Sequence, residues 1–374
     1  MSQKLLVLSA AIGAGHLKAA EALCQTFERL VPNGKAVHLD FLKYCGPRFS
    51  RLIEESYYFI TKYMAGIYRL LYEIADKPDA MAKRNQILLA LRKYRDFIHE
   101  YRPDLILSTH FFPASVVSHY YPKYPVKNGV ILTDYEAHPM WVYPNVHCFF
   151  VAHPGMVEEL VHLGVPAGKV RVTGIPIRPE FSHDFVLEKL RAEKGVPEGV
   201  PVLLVMSGGN AIGPLDEVLA SLNQITGEFY TIVITGKNEK VRRELEERRD
   251  QFRFPLKVLG YVEDMHKWMR LSDLLISKAG GLTVSEVLAV GLPLLVVKPT
   301  PGQEEANARY LVEYQAGIYV KNSEELGSVL GELLSNRTGL QELKKNALML
   351  GKPEAATAVI QEMMKESDYP PIFL

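Results

Sequence analysis

A short apolar segment, a glycine turn and then a helical pattern recur along most of the 374-residue chain, and this repetition restricts the fold more than any other feature. Residues 4–9 (KLLVLS), 36–40 (AVHLD), 104–109 (DLILST), 128–133 (NGVILT), 147–152 (HCFFVA) and 169–173 (KVRVT) form a first series. Residues 201–206 (PVLLVM), 230–236 (YTIVITG), 256–260 (LKVLG), 273–277 (DLLIS) and 293–298 (PLLVVK) form a second. Most are apolar along their whole length rather than at alternate positions. Such strands are buried on both faces, as in parallel sheets covered on both sides by crossover helices. The first turn leads into a predicted helix with Leu17, Ala20, Leu23, Phe27 and Leu30 on one face. The stretch 175–200, with GIPIRPEF, a charged helix at 185–194 and VPEGVP, interrupts the alternation. The expected architecture is therefore α/β, with two doubly wound domains at 1–180 and 181–352. A last helix within 353–374 is free to pack back on the first domain.

Composition narrows the function classes. Lys and Arg number 43, as do Asp and Glu, so the net charge is zero and the bulk basic excess of a nucleic-acid binder is absent. Cys24, Cys45 and Cys148 stand singly, without a CxxC pair, as suits a reducing compartment. Segment 4–9 runs straight into a glycine turn and a helix, which reads as a buried strand and not a secretion signal. No run reaches the roughly 18 apolar residues that span a bilayer. The expectation is a cytoplasmic protein that can still meet a membrane surface.

One segment departs from the alternation. Residues 41–100 are too long for a single crossover helix, and 43–72 carries Tyr44, Phe49, Tyr57, Tyr58, Phe59, Tyr63, Tyr68 and Tyr72. Lys43, Arg48, Arg51, Lys62 and Arg69 are interleaved with them, against only Glu54 and Glu55. Rings at the headgroup level with cations on anionic lipid make an interfacial device. The same residues also suit an inserted helical hairpin that packs on its own domain.

In doubly wound sheets ligands sit beyond the carboxyl ends of the strands, and two such domains place a cleft there. Four turns point to it: Gly13-Ala14-Gly15-His16, Ser207-Gly208-Gly209-Asn210, Lys278-Ala279-Gly280-Gly281-Leu282-Thr283, and Thr300-Pro301-Gly302-Gln303-Glu304-Glu305. Glycine lets backbone N–H groups approach phosphate, and a helix start favours the anion. Three of the four turns lie in the second domain, which reads as the nucleotide domain. Other phosphate motifs fail. Gly208 and Gly213 have P-loop spacing, but Pro214-Leu215 replaces Lys-Ser/Thr. Lys18 occupies the third glycine position of a dinucleotide fingerprint, although Asp40 ends the second strand where a ribose-binding acid would sit. The histidines show no metal-ligand spacing.

Within these turns each polar residue has two readings. His16, at a helix start, is disfavoured as a cation by the helix dipole and so is suited to act as a general base, or it makes a structural hydrogen bond. Thr283-Val284-Ser285-Glu286 is a capping box, or Glu286 accepts the two hydroxyls of a ribose. Gln303, Glu304 and Asn307 complement a helix dipole, or the first two read sugar hydroxyls. Asp134, Tyr135, His138 and Trp141 bring an acid, an imidazole and aromatic rings to the mouth of the first domain, as sugar platform or as core.

Taken together, GAGH (13–16), GGLTVSE (280–286) and PGQEEANA (301–308), in this order and spacing, resemble the family 28 glycosyltransferases, with two Rossmann-like domains facing a cleft, the GT-B architecture. The resemblance is to the diacylglycerol glycosyltransferase branch, that of bacterial processive diacylglycerol glucosyltransferases and plant monogalactosyldiacylglycerol synthases. That branch carries TDY-x-x-H-x-x-W, matched by Thr133, Asp134, Tyr135, His138 and Trp141, and TGIPI, matched by Thr173 to Ile177. Departures are the glycine-poorer turn 207–210, Ala279 where proline is common, and the apolar Ala10-Ala11-Ile12 before GAGH.

The resemblance implies an inverting transferase that moves a hexose from UDP-glucose or UDP-galactose to diacylglycerol, without cofactor or metal. His16 is implied as the base, with Asp134 as the alternative. Val262 would meet uracil and Glu286 the ribose. Gly280, Gly281, Leu282 and Thr283 would cradle the diphosphate with Gly208, Gly209 and Asn210 close by. Gln303 and Glu304 would read the sugar. Gly13, Gly15, Tyr135, His138 and Trp141 would lie on the acceptor side. Segment 43–72 would dock on an anionic membrane, placing the protein peripherally on the inner face of the cell membrane. Two other readings of the fold remain: a transferase with a different acceptor, soluble or an undecaprenyl-type lipid, and a non-catalytic nucleotide-sugar binding protein.

Overall fold

A computed structural model of the chain describes residues 3–11, 13–46, 81–206 and 215–365, with the side chains of 81–90 and 323 excepted. It divides into two compact units. The first is Met1–Pro179 with Pro301–Gln303 and Glu354–Leu374, and the second is Glu180–Thr300 with Glu304–Pro353.

The first unit is built on six strands: β1 (Lys4–Ser9), β2 (Lys35–Asp40), β3 (Leu105–Ser108), β4 (Lys127–Ile131), β5 (Cys148–Val151) and β6 (Val170–Val172). They pair in the order β2-β1-β3-β4-β5-β6, every pair parallel. Helices α1 (Ala14–Leu30), α2 (Phe41–Cys45), α3 (Met81–Tyr101), α4 (Phe111–Tyr120) and α5 (Gly155–His162) lie between the strands. Leu5, Leu6, Val7 and Leu8 are all fully buried. Both faces of β1 are therefore covered, as an unbroken apolar run requires.

The second unit begins with α6 (Leu187–Lys194). It continues with β7 (Val202–Met206), α7 (Leu215–Leu222), β8 (Tyr230–Ile234), α8 (Glu239–Glu247), β9 (Leu256–Leu259), α9 (Met265–Leu271), β10 (Leu274–Ser277), α10 (Gly281–Val290), β11 (Leu294–Val297) and α11 (Gln303–Glu313). Strand β12 (Gly317–Val320) and helices α12 (Leu326–Ser335) and α13 (Arg337–Leu350) complete it. The sheet order is β12-β11-β10-β7-β8-β9, again all parallel.

In each sheet the strand order reverses at one place, between β1 and β3 in the first and between β7 and β10 in the second. The crossovers leave such a point on opposite faces of the sheet, so the loops at the strands' carboxyl ends part and leave a crevice. The GAGH turn follows β1, and Thr109-His110 follows β3. The turn 278–280 follows β10. The loop after β7, with Gly208, Gly209 and Asn210, lies outside the described residues, as do residues 47–72 of the aromatic-basic segment.

Several expectations change. β12 is missed by the sequence reading because it is a four-residue edge strand, GIYV, entered from Gln315 at φ 50°. Leu30 is exposed and Leu17 half-buried, so the core face of α1 is Ala19, Ala20, Ala22, Leu23, Thr26 and Phe27. Asp40 has a structural role at the end of β2. It caps α2 by accepting from the Lys43 amide at 3.4 Å.

The last helix, α14 (Ala355–Met364), belongs to the first unit. Val359, Ile360 and Met363 are buried in one cluster with Leu23 and Phe27 of α1, Leu107, Ile131 and Phe150. Gly129 of β4 admits it. A β-carbon there would stand 2.7 Å from the Phe150 ring and 3.2 Å from the Met363 sulfur. Arg171 binds Glu362, and the Lys127 ammonium donates to the Lys365 carbonyl. Burying each such aliphatic side chain stabilises by about 1.5–3 kcal/mol. Ile360→Ala should therefore lower the melting temperature of the first unit, at a cost of about 2–5 kcal/mol. Calorimetry that shows an unchanged first-unit transition would contradict this packing.

Candidate active site

In the first unit the loops after β1, β3 and β4 converge on His16. Gly13, at φ 88°, turns the chain into α1, a backbone that glycine adopts without strain. His16 is then the third helical residue. Its Nδ1 lies 2.7 Å from the Thr109 carbonyl oxygen and 2.9 Å from the Thr133 hydroxyl. A carbonyl oxygen only accepts, so Nδ1 carries the hydrogen and Nε2 keeps its lone pair. The Thr109 hydroxyl donates in turn to the His16 carbonyl at 2.9 Å, so residue and ring are held by the same partner. His110 packs edge-on against the ring at 4.7 Å between centroids, and Trp141 stands at 6.5 Å.

Burial, opposed by the Thr109 hydrogen bond, lowers the His16 pKa from 6.5 to about 4. The neutral state expected from the helix start is present, but its main cause is desolvation. His110 is pushed well below its ordinary value by burial and then by His16. His147 falls to about 4 through burial and the nearby Lys169 and Lys127.

Asp134 is half-buried and directly follows Thr133. A carbonyl and a hydroxyl orient His16 at Nδ1. Tyr135 is buried and stacks on His153 at 6.0 Å. His138 is buried and accepts from the Met140 amide, capping the turn Pro139–Trp141. Trp141 is buried with His110 and Phe111. Trp141 therefore forms part of the wall around His16, and both it and Tyr135 are packed inside the unit. Thr109 and His110 are neighbours of His16 that the sequence reading does not select, and it singles out Thr133 only as part of the TDY stretch, without a role at His16. The signal was a hydroxyl or imidazole immediately after a buried strand.

In the second unit α10 starts at Gly281 with Gly280 as its cap, and no side chain caps it. Thr283 is already the third helical residue, so the capping-box reading of Thr283 and Glu286 is wrong: the cap lies three residues earlier, at Gly280. The amides of Gly281, Leu282 and Thr283 have no carbonyl one turn back to bond, which leaves three donors at the positive end of a helix dipole. Asn307, fully buried on α11, donates to the Ala279 carbonyl at 2.9 Å and fixes this turn to the next helix. Glu304 bonds the Thr300 amide and lies near Gly280. Gln303 is the first residue of α11. Glu286 lies on the second turn of α10 and is half-buried. Val262 lies half-buried in the loop between β9 and α9. That loop is pinned by Asp264, which binds the Lys194 ammonium at 2.5 Å and the Trp268 indole at 3.1 Å.

Among the described residues no group of three or more His, Cys, Asp or Glu is placed to hold a metal ion, and no helix is long and apolar enough to cross a membrane.

Two outcomes follow from this geometry. Gly280 has an ordinary backbone, φ −63° and ψ 139°, and a β-carbon there would meet nothing nearer than 3.9 Å. Gly280→Ala should therefore fold normally, with a melting temperature changed by less than about 2 °C. It should weaken binding of a diphosphate ligand such as UDP about tenfold or more, a loss of about 1.4 kcal/mol. Unchanged UDP affinity by titration calorimetry would contradict the cradle. The histidines act on stability. His16 and His147 titrate near 4 in the folded protein and near 6.5 unfolded, so the unfolded state binds more protons between these values. Their contribution is present above pH 6.5 and is lost as pH falls toward 4. The melting temperature of the first unit should fall across that window, and a flat profile would refute the shifts.

The chain matches the monogalactosyldiacylglycerol (MGDG) synthase family over residues 16–177 and the glycosyltransferase family 28 C-terminal domain over residues 203–362. It is 30% identical to the processive diacylglycerol beta-glucosyltransferase of Bacillus pumilus over 381 residues, covering 98% of this chain and 96% of that one. Its fold is shared with Acinetobacter baumannii MurG (TM-score 0.65, 18% identity, 97% of this chain and 100% of that one). It is also shared with Anabaena HepE in complex with UDP-glucose (TM-score 0.57, 16% identity, 96% and 98%). Two Rossmann-like parallel sheets and these matches make the fold GT-B. The chain belongs to the diacylglycerol glycosyltransferase branch of the family 28 glycosyltransferases and is a glycosyltransferase.

Proposed function

We propose that this protein is an inverting hexosyltransferase that moves glucose or galactose from UDP to the hydroxyl of diacylglycerol at the inner face of the cell membrane. The observation that carries the reading is the fixed tautomer of His16, whose Nδ1 is committed to the Thr109 carbonyl and whose Nε2 keeps a lone pair. In the reaction Nε2 takes the acceptor hydroxyl's proton. The oxygen attacks the anomeric carbon from the face opposite UDP, and the bond from that carbon to the diphosphate breaks. The transition state is oxocarbenium-like. Negative charge grows on the departing diphosphate, and the amides of Gly281, Leu282 and Thr283 are suited to receive it without a metal ion. Gly208, Gly209 and Asn210 would assist there, Val262 would meet uracil and Glu286 the ribose. Gln303 and Glu304 would read the sugar. Asp134, next to Thr133, is the alternative base.

The acceptor in the name of the Bacillus pumilus relative supports diacylglycerol, and the sugar nucleotide held by Anabaena HepE supports a UDP-sugar donor. Membrane docking rests on the composition of 43–72. At its described start the Tyr44 ring packs edge-on to Phe97 of its own unit at 5.6 Å, and the Lys93 ammonium stands 5.5 Å from the Tyr44 ring. Aromatic and basic groups thus continue together onto α3.

The decisive assay is release of UDP from UDP-glucose and UDP-galactose, with and without diacylglycerol in anionic vesicles. Diacylglycerol-dependent release, undiminished by EDTA, is expected. His16→Ala should lower turnover by about 100-fold or more while UDP affinity stays near wild type. Tight UDP binding without diacylglycerol-dependent release would overturn the acceptor. Near-wild-type turnover in His16→Ala would overturn the base.

A further inference from the structure

His110 lies against His16 but takes no part in the transfer chemistry described above. It is 2% exposed, and burying an imidazole among rings costs desolvation that a purely apolar residue would avoid. One local role is visible. His110 caps α4, its Nδ1 accepting from the Phe112 amide at 3.1 Å. That bond leaves its hydrogen on Nε2, the opposite tautomer to His16. It also anchors the ring to a helix whose Pro113 to Ser118 are all buried.

The two oxygens around His16 hold one side of its ring. Both the Thr109 carbonyl and the Thr133 hydroxyl act on a single atom, Nδ1. Hydrogen-bond lengths and angles tolerate small changes in the two side-chain torsions, and these move Nε2, at the far side of the ring from Cβ, more than Nδ1. A ring placed edge-on at 4.7 Å and 80° narrows that movement. Thr109 and His110 are consecutive, so the end of β3 and the start of α4 supply both the hydrogen bond and the ring contact from one inflexible junction. Phe111, at 4.1 Å, and Trp141, at 6.4 Å, back the His110 ring in turn.

We propose that His110 is a positioning residue for the transfer reaction: its ring holds the imidazole of His16 at the angle that presents Nε2 to the acceptor hydroxyl. The inference rests on the reading of His16 as the base. Since burial keeps His110 neutral, it places no second positive charge beside the imidazolium that His16 becomes during transfer.

Two substitutions separate the ring from the cap. His110→Asn keeps an acceptor for the Phe112 amide and removes the ring. His110→Phe keeps a ring and removes the cap. If the ring positions His16, His110→Asn should keep its KM for the UDP-sugar while kcat, measured below its own melting transition, falls about 10- to 100-fold. The nitrogen-15 NMR signals of the His16 ring should remain those of the Nδ1–H tautomer that the Thr109 carbonyl sets. His110→Phe should recover most of the lost kcat while melting at a lower temperature. Wild-type kcat in His110→Asn overturns the proposal. So does a His110→Phe enzyme as slow as His110→Asn, since a ring in that place would then not restore transfer. His16→Ala, assayed in parallel, keeps the two readings apart. If it abolishes transfer and His110→Asn does not, only the positioning role fails. If it leaves transfer intact, the base assignment fails and the positioning role with it.

Discussion

The hydrogen bond from His16 Nδ1 to the Thr109 carbonyl depends on β1 and β3 being parallel neighbours. The pairing of Leu5–Leu8 with Leu105–Ser108 brings the ends of two strands a hundred residues apart in sequence to the same edge. The chain leaves β1 into α1 and β3 into α4, so the first turn of one helix meets the cap of the other. The base, its acceptor carbonyl and the ring against it are thereby positioned by backbone geometry. A parallel sheet buried on both faces is a rigid support for them.

Burial does in this unit what a carboxylate does in a catalytic triad only in part. An Asp behind a histidine orients it and raises its basicity. Here a carbonyl and a hydroxyl orient it, while desolvation lowers its affinity for a proton. The imidazole is neutral and ready over the ordinary pH range. The cation it forms is stabilised by the carbonyl dipole at Nδ1. Two further buried histidines share the lowered titration, so the same enclosure that prepares the base makes this unit sensitive to acid.

The second unit uses helix starts in place of side-chain charge. Gly280 caps α10 without a side chain, and Asn307 ties that turn to the next helix through a buried hydrogen bond. An anion there would meet amide hydrogens on a framework already fixed, and such preorganised dipoles need no rearrangement as charge develops. The space beside Gly280 is therefore read as room for a ligand, since the fold itself does not need the hydrogen there.

The sequence by itself determined the class of fold, two parallel α/β sheets, because unbroken apolar strands separated by helical patterns have few other ways to cover both faces. It also picked out the turns GAGH, GGLTVSE and PGQEEANA, since glycine and helix-start residues are local signals. Tertiary structure alone decided the rest. Thr109, His110 and Thr133 become neighbours of His16 only when β1, β3 and β4 lie side by side, which no spacing in sequence encodes. From their chemistry Trp141 and Tyr135 read as sugar platform or as core, and packing decided for burial. The cap of α10 moved from Thr283 to Gly280 because the turn after β10 is held by Asn307 from another helix. Local propensity fixes what a segment can be, and the cross-sheet contacts fix which of its side chains meet.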